Sequence, residues 1–219
     1  MSRRGPVRPG RRFRDLPWRS VEYAALDFEA TGLDFARDRV ISFGVVPISR
    51  GRIEVGEAAY QLVDPGDRPP SPESITVHGI RPVDLREAPS LKTARTNLAR
   101  ALDRRFLIAW YAGVEAAFLS SWFGGDTRRW KRTTIDVRDM LLASEGSSVR
   151  GLSLSMAAER FGIPVADPHH ALDDALVTAQ LFLVLAHRMG ERDGVRTIGD
   201  LLRADPGDRP TLRRPSAPF

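Results

Sequence analysis

A short apolar run near the beginning of the chain ends in two acidic residues, and this run limits the fold most. Residues 23–29 read YAALDFE, and a Thr-Gly turn signal follows after Ala30. A short apolar run bounded by turn residues predicts a central strand of a sheet. Side chains two positions apart on a strand point to the same face, so we expect Asp27 and Glu29 to lie side by side.

The paired carboxylates allow two interpretations. If both are buried and ionised they repel each other, and a divalent cation bound between them removes that cost. If they mark the solvent end of the strand, water hydrates them and no metal is needed. The chain has no Cys, and hard oxygen ligands favour Mg²⁺ or Mn²⁺ over zinc. Other acidic residues must decide between the two interpretations.

The rest of the pattern predicts an α/β fold. Apolar residues 39–48 and 53–63 flank a Ser-Arg-Gly-Arg turn, which is typical of a hairpin. Runs at 105–110 and 134–137 predict two further strands, and helical spacing follows at 90–102, 115–123, 137–143, 153–161 and 169–189. An antiparallel meander followed by strands that alternate with helices predicts a mixed five-stranded sheet flanked by helices.

The two ends of the chain differ from the middle in composition. The net charge of the 219 residues is +5, but residues 1–19 contain seven Arg and one Asp. We predict a basic disordered tail over 1–20, a folded domain over 21–203 and a Pro-rich tail over 204–219. No apolar run approaches the roughly 20 residues that span a membrane, and no export signal follows the early arginines, so we expect a cytoplasmic protein without a membrane partner.

A second acidic site lies at the start of the last long helix. His169 precedes the helix and Asp174 lies one turn into it, close enough to serve one site. An Asp in a first turn is also favoured by the helix dipole alone. These two residues by themselves therefore leave a catalytic and a structural role open.

Three motifs together resemble the DEDDh 3′–5′ exonucleases, most closely the proofreading epsilon type of bacterial DNA polymerase III. They are residues 27–32 (DFEATG), 76–80 (TVHGI) and 169–175 (HHALDDA), and the resemblance covers 23–190. It implies that 21–203 is an exonuclease domain with a ribonuclease-H-like sheet. It also implies that four acids hold two divalent metal ions, Mg²⁺ or Mn²⁺, and that a histidine acts as general base.

The resemblance assigns roles residue by residue. Asp27 resembles the ligand that bridges both metals, and Glu29 resembles the acid beside it. His169 resembles the general base, and Asp174 the closing carboxylate. The residues that resemble the surroundings of the terminal nucleotide, together with the aromatic that follows Asp27, are Thr31, Gly32, Leu33, His78 and Phe28. Strand alternation turns Phe28 away from the two acids, so a core position is the alternative for that residue.

The middle motif departs from the family pattern. Residues 109–119 (AWYAGVEAAFL) keep the apolar frame, but Glu115 stands where the family has Asp. Trp110 and Tyr111 replace a His-Asn pair whose Asn helps to hold the substrate backbone. The longer Glu side chain displaces a metal ligand by about 1 Å, a shift that costs around 10²-fold in rate, unless the helix lies further back.

The sequence thus predicts a two-metal 3′–5′ exonuclease that acts on single-stranded DNA ends, in association with a DNA polymerase. Two alternatives remain open at this point. One is a catalytically weakened nucleic-acid-binding or polymerase-associated module, suggested by Glu115. The other is an exoribonuclease that trims RNA by the same chemistry.

Overall fold

The computed structural model describes residues 11–204, with side chains from Phe13 onward. The strands are β1 (Tyr23–Ala30), β2 (Val40–Ser49), β3 (Arg52–Ile53), β4 (Ala59–Leu62), β5 (Phe106–Ala109) and β6 (Thr134–Asp136). They form one sheet in the order β3-β2-β1-β5-β6, with β4 also paired to β2. The first strand is antiparallel to β2 and parallel to β5, which confirms the predicted mixed α/β sheet.

The predicted third strand over 53–63 is interrupted. A 3₁₀ turn at Val55–Glu57 separates β3 from β4, and both short strands pair with β2. The sheet therefore has six named strands where the sequence predicts five. The difference arises within one edge of the sheet, and the order of the other strands is unaffected.

Helices cover both faces of the sheet. Their bounds are α1 (Arg11–Arg14), α2 (Pro72–His78), α3 (Leu91–Ala101), α4 (Ala112–Phe123), α5 (Thr127–Lys131), α6 (Val137–Glu145), α7 (Leu154–Arg160), α8 (Ala171–Asp193) and α9 (Ile198–Leu202). The sequence pattern does not predict α2, α5 and α9. These are helices of five to seven residues, each begun by a polar side chain that caps it: Ser71, Asp126 and Thr197. Within residues 11–204, no helix is both long enough and apolar enough to cross a bilayer.

Strand alternation in β1 divides the core into two clusters. Tyr23 and Ala25 pack with the inner faces of α6 and α8, whereas Leu26 and Phe28 pack with those of α3 and α4. Asp27 and Glu29 share the face of Tyr23 and Ala25, and thus point to the side of the sheet that α8 covers. The first turn of α8 therefore lies beside the acidic end of β1.

The prediction of a disordered tail over 1–20 is wrong for residues 11–20. This segment contains α1, and the buried Trp18 packs edge-on against Phe182, with 6.2 Å between ring centroids. Pro17 forms an isolated bridge with Thr197, next to α9. Burial of the apolar Trp18 ring stabilises an ordered structure in this segment, although its Arg-rich composition predicts disorder. Residues 1–10 of this predicted tail, and 205–219 of the predicted C-terminal tail, lie outside the described residues.

Candidate active site

Three carboxylates meet at the carboxyl end of β1. Asp27 and Glu29 come from this strand and Asp174 from the first turn of α8, and one oxygen from each lies within 4.8 Å of the others. Glu29 and Asp174 are buried. Such a group of like charges is stable in the ionised form only when a cation shares it.

A fourth carboxylate approaches from the opposite side of the sheet. Glu115 lies in the first turn of α4 and is 4% exposed. Its charge is the largest of the neighbouring acidic contributions to the raised pKa of Asp27. In the described part of the chain, its buried Oε2 has no hydrogen-bond partner. A buried carboxylate oxygen without a donor, next to other acids, fits either a bound divalent cation or a protonated carboxyl.

The acids hold their protons unusually strongly when no cation is present. Burial, with Asp174 and Glu115 nearby, raises the pKa of Glu29 to about 8. Burial also raises the pKa of Glu115 to about 8, with a smaller contribution from Asp136. The pKa of Asp27 is raised well above its ordinary value by burial, then by Glu115, Glu29 and Asp174. Oxygen donors of this kind, without sulfur, suit Mg²⁺ or Mn²⁺.

Asp136 holds the helix that carries Glu115. Its carboxylate accepts hydrogen bonds from the backbone N–H of Ala112, at 3.0 Å, and of Asp139, at 3.1 Å. The first bond fixes the start of α4 and the second caps α6. The start of α4 is thereby fixed to the end of β6, and this sets the position from which Glu115 extends.

His169 lies beside Asp174 in a restricted backbone conformation. Its φ angle is 64°, a value that residues other than Gly rarely adopt. The backbone N–H of His169 donates to Oδ2 of Asp174 at 3.2 Å. His170, the N-cap residue of α8, follows directly and its Nδ1 lies 2.9 Å from Oδ2 of Asp173. The backbone of His169 is therefore anchored to Asp174, one of the four acids.

Comparison with known proteins shows the family to which the chain belongs. The family model RNase_T, described as an exonuclease family, matches residues 24–182, which include all four acids and His169. The chain belongs to the RNase_T exonuclease family. The resemblance to DEDDh exonucleases, proposed from three short motifs, is thereby confirmed across most of the folded domain.

Individual proteins similar to this member of the RNase_T family include a polymerase and two nucleases. DNA polymerase III PolC-type from Thermotoga petrophila is 30% identical over 191 residues, which are 85% of this chain but 13% of that protein. Escherichia coli exonuclease I in complex with a dT13 oligonucleotide has the same fold, with a TM-score of 0.67 and 16% identity over 78% of this chain and 42% of that one. The nuclease domain of 3′hExo, a DEDDh family member bound to rAMP, has a TM-score of 0.65 and 18% identity, and covers 81% of this chain and 95% of that one.

The turn after β1 has a compact structure of its own. Thr31 is buried, and its hydroxyl donates to Oδ1 of Asp38 at 2.8 Å and accepts from the N–H of Arg39 at 3.0 Å. A Cβ on Gly32 would overlap the Asp38 carboxylate. Leu33, in contrast, is 71% exposed. Of the three predicted turn contacts, Leu33 presents the most surface to solvent, whereas Thr31 and Gly32 shape the turn.

His78 and Phe28 lie on opposite sides of the strand end. His78 ends α2 and helps to line a cleft of about 500 Å³, together with Tyr60, Asp167 and Pro168, which immediately precedes His169. Burial lowers the pKa of His78, and the nearby His169 lowers it further. Phe28 is 7% exposed and packs against Phe118 and Trp122. The prediction that Phe28 contacts substrate is corrected, because strand alternation turns its ring into the core.

Two further residues, Gly44 and Tyr60, shape the site and are not predicted from the sequence. Gly44 on β2 pairs with Asp27, and a Cβ at Gly44 would overlap the backbone of Ala171 at the start of α8. Tyr60 on β4 pairs with Gly44 and stacks on His170. A Gly inside a predicted strand is a general signal of close backbone approach. For Tyr60 the amino-acid pattern contains no comparable signal.

Proposed function

We propose that this chain is a metal-dependent 3′–5′ exonuclease that removes nucleoside 5′-monophosphates from the 3′ ends of single-stranded DNA. The convergence of Asp27, Glu29, Glu115 and Asp174, with His169 beside them, carries the proposal. Membership of the RNase_T family supports the reaction class. The neighbouring fold of exonuclease I in complex with dT13 supports single-stranded DNA as the substrate.

The four acids would hold two divalent ions, Mg²⁺ or Mn²⁺. Asp27 is the acid on which the charges of the other three all act, so it would be the central residue of the set that holds the ions. Glu29 and Asp174 lie on one side of it, and Glu115 approaches from α4. The bound ions supply Lewis-acid activation of water and neutralise charge that develops on the phosphate.

His169 is the proposed general base. The oxygen of water attacks the terminal phosphorus, the imidazole of His169 takes a proton from that water, and the bond from phosphorus to the 3′-oxygen of the preceding nucleotide breaks. The released 3′-oxygen gains a proton from solvent, so the products are a nucleoside 5′-monophosphate and a strand one nucleotide shorter. The bond from the N–H of His169 to Asp174 ties this base to the acidic cluster.

The substrate would enter past the turn after β1 and the cleft beside α2. Leu33 is the exposed apolar side chain of the turn and is placed to contact the terminal nucleotide, while Thr31 and Gly32 hold the turn in shape. His78 lies next to the backbone of Ala30, the residue directly before this turn. These contacts remain part of the proposal.

Glu115 favours an active enzyme over a weakened binding module. Its buried carboxylate lies close enough to Asp27 to raise the pKa of that acid, although it stands outside the group of three whose oxygens lie within 4.8 Å of one another, and Asp136 fixes the helix from which it extends. This geometry supports the idea that the position of α4 compensates for the longer side chain. The loss of the family's Asn at Tyr111 affects the grip on substrate and not the acidic cluster.

The proposal also includes a protein partner and a cellular location. The PolC-type relative from Thermotoga petrophila carries polymerase in its name, and the chain spans about 13% of its length. We include association with a DNA polymerase and a cytoplasmic location in the proposal. Co-sedimentation of the full chain with the replicative polymerase of the same organism tests the association.

Digestion of a 3′-labelled single-stranded oligonucleotide tests the function. We expect the full chain to release labelled mononucleotide with Mg²⁺ or Mn²⁺ and to release none after chelation by EDTA. Asp27→Ala should abolish release, whereas Asp67→Ala, which removes an exposed acid in a loop, should leave it unchanged. Unchanged release by Asp27→Ala would sink the proposed mechanism.

The same assay with DNA and RNA of one sequence separates the substrate classes, because the 2′-hydroxyl is the consistent chemical difference. Faster turnover of RNA would replace the DNA proposal with the exoribonuclease alternative. Binding of 3′ ends without turnover in Mn²⁺ would identify a weakened module instead.

A further inference from the structure

A row of three residues crosses the sheet directly beneath the start of α8. Asp27 on β1 pairs with Gly44 on β2, and Gly44 pairs with Tyr60 on β4. Paired residues in a sheet point to the same face. The Asp27 carboxylate and the Tyr60 ring therefore flank the position where Gly44 has no side chain, and the backbone of Ala171 fills that position.

The Tyr60 ring also contacts the residue that precedes α8. Its centroid lies 4.4 Å from that of His170, with 30° between the ring planes. On its other side, His170 meets the Asp173 carboxylate, with 2.9 Å between Nδ1 and Oδ2. The His170 side chain thus contacts the Tyr60 ring, which belongs to a different element of the fold, and lies close to the Asp173 carboxylate without a hydrogen bond to it.

Restraint of His170 matters because its neighbour is strained. His169 has a φ angle of 64°, and a non-Gly residue persists in this region only when its surroundings impose it. The N–H of His170 donates to the carbonyl of Asp167 at 3.2 Å, which closes the turn that contains His169. A fixed His170 ring therefore fixes the end of that turn.

We propose that Tyr60 is a positioning residue for the general base: through its stack on His170, it holds His169 in the orientation needed for proton transfer. This inference rests on the proposed exonuclease function. It assigns to β4, the interrupted edge strand, a role in catalysis that does not depend on contact with the reacting atoms.

A direct contact with substrate is the competing role for Tyr60. The residue is 37% exposed and lines the cleft beside Pro168 and His78. Loss of a substrate contact raises KM, whereas misplacement of a general base lowers kcat with little change in KM. The two roles are therefore separable by steady-state kinetics.

The test compares Tyr60→Leu with Tyr60→Phe in the full chain, on 3′-labelled single-stranded DNA with Mn²⁺. Leucine removes the ring, and phenylalanine keeps the ring without the hydroxyl. We expect Tyr60→Leu to lower kcat about tenfold with KM within about twofold, and Tyr60→Phe to restore kcat. Phe13→Leu is the matched control, because it removes a ring stack of similar exposure, 41%, against Phe106 outside the site.

A second measurement does not depend on catalysis. The chain has four His, so ¹⁵N-labelled imidazole resonances are few, and His169→Gln assigns the one from His169. We expect this resonance to shift in Tyr60→Leu and to keep its position in Tyr60→Phe and Phe13→Leu.

Each outcome bears on one of the two proposals. If the wild-type chain hydrolyses no substrate, the exonuclease proposal is overturned. The shift of the His169 imidazole resonance then tests by itself whether Tyr60 positions His169. If the wild type is active, a raised KM with unchanged kcat in Tyr60→Leu overturns the positioning role in favour of substrate contact. An unchanged kcat with an unshifted His169 resonance overturns it as well.

Discussion

Gly44 of β2 lies against Ala171, the first residue of α8, so closely that a Cβ on the glycine would overlap the Ala171 carbonyl. Because Asp174 follows in the first turn of α8, this contact sets how closely its carboxylate approaches Asp27. The absence of one side chain in a strand thus brings together acids that are 147 positions apart in the chain.

Replacement Gly44→Ala should force α8 away from the sheet. We expect a loss of about 1–3 kcal/mol in the free energy of unfolding, since the overlapping atoms belong to backbone and cannot rotate away. Hydrolysis of labelled DNA should fall by about 10²-fold or more, because the acids separate. Urea denaturation and the digestion assay measure the two effects. Gly56→Ala is the matched control, because no atom lies within 4 Å of a Cβ there; equal effects of both substitutions would contradict the argument.

The length of Glu115 is predicted to matter. Glu115→Gln removes the charge and should abolish metal-dependent hydrolysis. Glu115→Asp keeps the charge but withdraws the carboxylate by about 1 Å, so we expect roughly a 10²-fold lower kcat although Asp is the family's residue. Steady-state kinetics with Mn²⁺ check both values. An Asp variant as active as the wild type would mean that α4 does not fix the carboxylate as tightly as its bond to Asp136 indicates.

The stability of the metal-free protein should fall as pH rises. Burial raises the pKa of Glu29 and of Glu115 to about 8 and that of Asp136 to about 6, so the folded state keeps protons that the unfolded chain has already lost. The stabilisation is complete below the unfolded values near 4 and is lost progressively up to about pH 8. Melting temperatures between pH 5 and 9 in EDTA measure it.

Two additions to that measurement identify the groups. Millimolar Mn²⁺ should raise the melting temperature most at pH 8, because it binds the ionised acids of the folded state alone. Glu29→Gln should flatten the pH dependence in EDTA. A melting temperature that rises with pH in EDTA would contradict the raised pKa values.

Loss of the proposed general base should separate chemistry from metal binding. We expect His169→Gln to lower kcat by about 10²–10⁴-fold, the usual contribution of a positioned base. Mn²⁺ should still bind, because the four acids remain, and titration followed by electron paramagnetic resonance detects it. Exogenous imidazole that restores part of the rate would support the assignment, and a kcat equal to that of the wild type would remove it.

Much of this architecture was predictable because its signals are local. The alternation of residues 23–29 predicts both β1 and the shared face of Asp27 and Glu29, and the helical spacing after His169 predicts α8. The same alternation, taken strictly, turns Phe28 into the core, as the structure has it. The motif that includes Glu115 predicts a fourth acid even though its residue type differs from that of the family.

What was not predictable depends on contacts between distant segments. Nothing in the sequence near Tyr60 points to His170, which is 110 positions away and is brought close by the pairing of Tyr60 with Gly44 and the packing of Gly44 against the start of α8. The order of residues 11–20 likewise depends on packing of Trp18 against Phe182, which an Arg-rich composition conceals. The short helix α5 escaped prediction because five residues are too few to show a period, although buried Trp130 anchors it through a bond to Gly124.

The packing of Trp18 also determines where a truncated version of the domain should begin. A truncation that starts at residue 21, where composition would draw the boundary, removes the indole from Phe182 and the bridge from Pro17 to Thr197. It also removes the contact between the rings of Phe13 and Phe106, at the start of β5. Phe13 and Trp18 thus cover apolar surface around Phe106 and Phe182, and a shortened protein would expose that surface and associate with itself before its catalysis could be measured.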